Sequence, residues 1–140
     1  MKKRITALGL LWCLSAVMLQ AARVDTVLVR SVAMNKDVKV VYVLPDKAIG
    51  KQACPVVYLL HGYGGNARSW MQLKPELPQM ADEKGIIFVC PDGKNSWYWD
   101  SPENPAYRYE TFVTSELVKY TDGNYATIPD RKARAISGLS

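Results

Sequence analysis

The sequence predicts an α/β domain with a mostly parallel sheet and a leading antiparallel hairpin. Three observations carry this. Pro55–Leu60 (PVVYLL) and Ile86–Cys90 (IIFVC) are apolar runs without alternation, as expected of strands covered on both faces. Segments with helical spacing lie between and after them. Ahead of both, two β-branched stretches are joined by a short polar turn, which reads as a hairpin. Strand, helix, strand, helix, strand after a hairpin is the element order of an α/β fold.

The N-terminus reads apart from this pattern. Met1-Lys2-Lys3-Arg4 is basic, and Ile5 to Leu19 is an apolar run of about fifteen residues, the length of a signal h-region. A bilayer-spanning helix needs about twenty apolar residues, so a permanent anchor is the less favoured alternative. Gln20-Ala21-Ala22 offers small residues for cleavage, and Cys13 lacks the small residues a lipoprotein cysteine wants before it. The expectation is an export signal over residues 1–22 and a domain over residues 23–140. The location is then periplasmic or extracellular, with no stable membrane span after cleavage.

Composition supports one ordinary globular domain, at 49% hydrophobic and 22% charged residues. The formal net charge is +5, but Lys2, Lys3 and Arg4 supply three of those charges. No basic block with interleaved aromatics remains, which argues against nucleic acid as a partner.

The hairpin strands are Val24–Ser31 and Val38–Pro45, turning around Asn35-Lys36-Asp37. After Pro55–Leu60, Leu77, Met80 and Ala81 share a helical face, with Pro75 available for the first turn and Gly85 as the stop. Ile86–Cys90 follows. A second helix is expected over about Tyr109–Tyr120, with Val113, Leu117 and Tyr120 on one stripe and Gly123 just beyond. Glu116 falls near that stripe and reads as a hydrogen-bonded structural group. Arg134–Ser137 is a third parallel strand, running into Gly138-Leu139-Ser140.

The two domain cysteines begin and end different strands. If those strands are parallel neighbours, Cys54 and Cys90 stand roughly 15 Å apart at about 3.3 Å per residue, beyond the ~7 Å that a disulfide tolerates between Cα atoms. Free buried thiols are expected. Two cysteines and one histidine are too few for a typical zinc site, so neither metal nor cofactor is expected.

Ligands gather at the carboxyl ends of parallel strands. Three loops leave those ends: His61–Gly65 (HGYGG), Asp92–Asp100, and Gly138–Ser140. A serine nucleophile on a strand-to-helix turn needs small neighbours, and Gly-Leu-Ser is the first part of such a motif, G-x-S-x-G. By itself the triplet equally describes a serine capping a helix. Gly62, Tyr63, Gly64 and Gly65 sit where a loop must bring backbone N–H groups close to a developing oxyanion. The alternative is a plain glycine turn; a phosphate loop is not indicated, because no Gly-Lys-Ser/Thr follows. Trp97, Tyr98 and Trp99 either contact a sugar or aromatic acyl group or bury their loop. Asp92 and Asp100 read as turn-formers.

HGYGG, WMQL, GIIFVCPDG, NSWYWDSP, YETFVTSELVKY and RKARAISGLS, in this order, resemble the putative-esterase family of α/β-hydrolases. That family includes esterase D (S-formylglutathione hydrolase), feruloyl and acetylxylan esterases, and mycolyltransferases. The resemblance spans about Val24 to Ser140 and implies the N-terminal portion of an α/β-hydrolase fold. It implies Ser140 as nucleophile and Tyr63 as donor of an oxyanion N–H, with His61, Gly62, Gly64 and Gly65 forming the oxyanion loop. The family's catalytic acid and histidine follow the serine, so the expectation is a serine carboxylesterase read as far as its nucleophile and inactive in this portion. Its substrate would be a small-molecule or polysaccharide ester. An acyltransferase and a non-catalytic carbohydrate-binding domain are the alternatives. A triad of His61, Asp92 and Ser140 runs in a chain order known from β-barrel proteases, but the serine here follows an α/β pattern.

Overall fold

The computed structural model describes residues 22–140; apart from Ala22, the expected export signal lies outside the described residues. Five strands form one sheet: β1 (Arg23–Ser31), β2 (Lys36–Leu44), β3 (Val56–Leu60), β4 (Ile87–Pro91) and β5 (Arg134–Gly138). Their spatial order is β1-β2-β4-β3-β5. β2 pairs antiparallel with both β1 and β4, whereas β3 pairs parallel with β4 and β5. Four strands therefore point the same way and β2 alone opposes them, which is the mostly parallel sheet with a leading hairpin.

Alternation along the strands divides two cores. Val40, Tyr42 and Leu44 of β2, Val56 and Tyr58 of β3, and Ile87 and Val89 of β4 face one side, against Phe112, Val113 and Leu117. Val41, Val43, Leu59, Phe88 and Cys90 face the other, against Leu77 and Ala81. Each large aliphatic side chain buried this way contributes about 1.5–3 kcal/mol. The sheet is thus a middle layer with helices on both faces. β5 forms one edge, where Ile136 is 59% exposed.

Five α-helical segments among the described residues link the strands: α1 (Asp46–Ile49), α2 (Ser69–Leu73), α3 (Leu77–Lys84), α4 (Tyr109–Thr111) and α5 (Val118–Asn124). Neither α1 nor α2 is expected from periodicity, because both are a single turn. The proline in the first turn of α3 is Pro78, not Pro75, which precedes the N-cap Glu76. Gly85 stops α3 in the left-handed region at φ 64°, and its N–H bonds to the Ala81 carbonyl. The second long helix runs four residues past Tyr120, so Gly123 lies inside it. Between α4 and α5, Phe112–Leu117 widens into a π-helical turn. Within it, Thr114 Oγ1 donates to the Glu110 carbonyl four residues back, a side-chain bond that competes with helical pairing and bends helices.

Glu116 sits in that widened turn and reaches across to the hairpin. Its Oε2 accepts from Ser31 Oγ at 2.6 Å, and its Oε1 accepts from the N–H groups of Val32 and Ala33 at 2.8 and 2.9 Å. One carboxylate thus satisfies three donors of the β1–β2 turn. Cys54 and Cys90 are free and buried at opposite ends of neighbouring parallel strands. Burial pushes the Cys90 thiol up to about 12 and raises that of Cys54 as well. No helix among the described residues is long and apolar enough to cross a membrane. Replacing Glu116 by Ala should destabilise the domain by about 2 kcal/mol, the scale of charged hydrogen bonds lost from a half-buried carboxylate. Glu116→Gln, which keeps an acceptor for the turn, should cost less; urea unfolding of the two variants measures the difference.

Candidate active site

The register of the sheet brings the first and third predicted loops together. β3 and β5 are parallel neighbours, with Leu60 opposite Gly138. Leu139 N–H donates to the Leu60 carbonyl at 3.1 Å, which carries the ladder one residue past β5. Trp70 of α2 donates its indole N–H to the same carbonyl at 3.0 Å. The chains leaving both strands therefore start side by side. A Cβ on Gly62 would lie 2.5 Å from the Ser140 carbonyl oxygen, so only glycine permits this approach.

The oxyanion-loop candidates form a tight turn. Gly65 N–H donates to the Gly62 carbonyl at 3.0 Å, and Gly64 occupies φ 77°, which glycine adopts without steric cost. Gly64 N–H donates to Asn95 Oδ1 at 2.8 Å. With these two donors engaged, the Gly62 and Tyr63 N–H groups have no acceptor among the described residues. Gly62, Tyr63 and Ser140 line one cavity of about 230 Å3, together with Asn95, Trp97 and Tyr98.

His61 lies beneath this turn, 2% exposed. Its Nε2 accepts from Gly93 N–H at 2.9 Å, which places the ring proton on Nδ1, and Nδ1 donates to the Gly62 carbonyl at 2.7 Å. Its backbone N–H donates to Tyr98 Oη at 3.0 Å, and the Tyr98 ring meets the imidazole edge-on. Asp92 Oδ1 is 3.6 Å from Nε2, but an Nε2 that accepts a hydrogen bond carries no proton for an ion pair. Both ring nitrogens are committed to backbone, so the His61–Asp92–Ser140 order does not assemble into a triad. Asp92 instead turns its own loop: Oδ1 accepts from Lys94 N–H at 2.9 Å and Oδ2 lies 3.1 Å from Lys94 Nζ.

The loop Asp92–Asp100 is built from strained but well-bonded backbone. Lys94, Trp97 and Tyr98 all have φ between 51° and 56°, a region that costs non-glycine residues about 1–3 kcal/mol each. Buried Ser96 offsets part of this: its hydroxyl donates to the Gly93 carbonyl at 2.5 Å and accepts from Tyr98 N–H at 3.1 Å. The three aromatics then separate. Tyr98 is held inward by the His61 N–H, and burial raises its phenol well above the ordinary value. Trp97 is 71% exposed and stacks on Tyr63 with ring centroids 5.3 Å apart. Trp99 is also exposed and does not line the cavity. Asp100 accepts from both the N–H and the hydroxyl of Thr111, capping the helix that starts at Tyr109.

Asn95 is the site residue that motif reading misses. It opens the stretch NSWYWDSP, which assigns it no role, and only its place in the turn sequence Gly-Lys-Asn-Ser hints at backbone hydrogen bonding. Among the described residues, no group of three or more His, Cys, Asp or Glu side chains is arranged to hold a metal.

A mostly parallel sheet with helices on both faces, and a serine packed against a glycine loop at its carboxyl end, define an α/β-hydrolase fold. The family described as "Putative esterase" matches residues 31–140, and the chain belongs to it. An acetyl esterase of Caldicellulosiruptor saccharolyticus is 26% identical, over 76% of this chain and 42% of its own length. An S-formylglutathione hydrolase structure from Agrobacterium tumefaciens superposes with TM-score 0.74 at 26% identity, over 85% of this chain and 49% of that one. A ferulic acid esterase structure gives 0.70 at 28%, over 85% and 51%. The chain thus spans about half the length of these relatives.

The close approach at Gly62 is directly testable. Gly62→Ala forces backbone away from backbone, so it should lower the melting temperature and perturb the amide signals of Leu139 and Ser140. Asn95→Ala should leave the fold intact and shift mainly the Tyr63–Gly65 amides, as seen in a 15N correlation spectrum.

Proposed function

We propose that this chain carries the nucleophile and one oxyanion donor of a serine carboxylesterase. The observation that supports it most is the packing of Gly62 against the Ser140 backbone, beside a Tyr63 N–H without an acceptor among the described residues and a cavity that Tyr63 and Ser140 both line. Ser140 Oγ attacks the ester carbonyl carbon, the carbonyl electrons move onto oxygen, and the Tyr63 N–H stabilises that charge. Collapse expels the alcohol and leaves an acyl-serine, which water cleaves in turn. The second donor is the N–H of the residue after the nucleophile. The base that takes the serine proton is not His61, whose ring nitrogens both serve backbone groups. By the family pattern, the base and its acid partner follow Ser140 in chain order.

The names of the relatives favour acetyl or feruloyl esters. The exposed Tyr63–Trp97 stack offers a flat aromatic surface at the cavity mouth, suited to a sugar ring or an aromatic acyl group. Such esters on polysaccharides also agree with export, which the basic residues Lys2, Lys3 and Arg4 and the apolar run Ile5–Leu19 support.

In the enzyme with its base and acid in place, Ser140→Ala should abolish hydrolysis of p-nitrophenyl acetate. Tyr63→Pro removes the N–H and should lower kcat by about 10²–10³-fold, the usual worth of one oxyanion donor. Tyr63→Ala keeps the N–H and should lower it far less. Equal losses in the proline and alanine variants would reject Tyr63 as a backbone donor. The 140 residues alone should turn over no faster than their Ser140→Ala form.

Export has its own test. N-terminal sequencing of the secreted protein should find a start close to Arg23; mature protein retaining Lys2 and Lys3 would refute cleavage.

A further inference from the structure

Beside the Ser140 cavity lies a second one of about 220 Å3, at the same end of the sheet. Lys36 and Lys39 from the start of β2, and Lys94 from the strained loop, line it together with Asp37, Asp92 and Tyr109. Lys94 lines both cavities, so the two adjoin through one side chain.

The acidic groups here are already engaged. Asp92 takes the Lys94 N–H and ammonium, and Asp37 pairs with Arg30 at 3.5 Å. Among the described residues, neither Lys36 nor Lys39 has a carboxylate partner. Lys36 is not a freely swinging surface lysine. Its Nζ donates to the Ala106 carbonyl at 2.6 Å and sits 5.2 and 4.8 Å from the ring centroids of Tyr107 and Tyr109. An ammonium has three donors, and that carbonyl uses one. Burial lowers the Lys36 pKa, and the nearby Lys94 charge lowers it further, against the opposing pull of Tyr107 and Asp92. A fixed, partly desolvated cation beside like charges is stabilised by an anion placed among them.

We propose that this second cavity binds a compact oxyanion carried by the substrate, so that the preferred ester is one of an acidic sugar. The proposal rests on the esterase reading for its substrate, but the anion site itself does not. With the ester in the Ser140 cavity, a carboxylate on the neighbouring part of the alcohol meets Lys94 at the junction and Lys36 and Lys39 beyond it.

The test separates binding from turnover. Ser140→Ala protein is titrated calorimetrically with glucuronate, glucose and inorganic sulfate. Glucuronate should bind at least about tenfold tighter than glucose, the worth of one charge-assisted hydrogen bond. The preference should weaken with added salt. Lys36→Gln should erase most of it, and Lys36→Arg, which keeps the charge over the two rings, should restore it. In the active enzyme, the ratio of kcat/KM for acetylated glucuronate over acetylated glucose should fall about tenfold in Lys36→Gln. Lysine-dependent glucuronate binding without any Ser140-dependent turnover would uphold the anion site and reject the esterase reading. Equal binding of glucuronate and glucose, unchanged in the lysine variants, would overturn the proposal. Tight binding of sulfate with none of glucuronate would overturn the acidic-sugar assignment.

Discussion

One buried imidazole ties the site together. His61 accepts the Gly93 N–H at one ring nitrogen and donates to the Gly62 carbonyl from the other, while its own N–H goes to Tyr98. Both ring nitrogens and the backbone N–H are used on the loops after β3 and β4. An unsatisfied buried polar group costs about 1–3 kcal/mol, so displacing either loop would orphan several groups together. The clamp also explains how three left-handed residues persist within five positions, at Lys94, Trp97 and Tyr98. Their strain is held by Ser96, Asp92 and the Tyr98–His61 bond, and the loop they shape presents Asn95 to Gly64.

The sheet sets where that clamp can act. The chain leaves β3, crosses one face through α2 and α3 to β4, then returns through α4 and α5 on the opposite face to β5, on the other side of β3. A crevice at the carboxyl ends follows where successive connections depart in opposite directions. β3 lies between β4 and β5, so its glycine loop touches the ends of both neighbours. That central position lets one short loop contact Ser140 on one side and Gly93 on the other.

Much of this was legible in the sequence, and the physical reasons are specific. Unbroken apolar runs mark β3 and β4 because both faces are covered, and Cys54 and Cys90 could be held apart by strand geometry alone. Glu116 could be read as structural because a carboxylate beside an apolar stripe must find donors, although the stripe does not say which ones. The partners turned out to be a hydroxyl and two amides 83–85 residues away. The π-helical turn and the helix through Gly123 were not legible, since tertiary packing decides them and periodicity at 3.6 does not. The short helices α1 and α2 have too few residues to show a period. Pro75 and Pro78 are equally plausible first-turn residues on local grounds, and only the fold chooses between them.

In the site, the sequence singled out the loop glycines and the serine but not their latch. Asn95 acts through one long-range hydrogen bond, which leaves no periodic or compositional trace. Its effect is selective: by occupying the Gly64 N–H, and with Gly65 bonded to Gly62, it leaves the Gly62 and Tyr63 amides as the unengaged donors of the turn among the described residues. A loop of four consecutive N–H groups would otherwise offer competing donors pointing in different directions. An oxyanion gains most from donors fixed in place before the charge develops, so satisfying the later amides of the turn is part of defining which donors can act. The same economy applies to His61. Its ring is spent entirely on backbone, which makes it an architectural group in the middle of a site where a free imidazole would otherwise suggest a base.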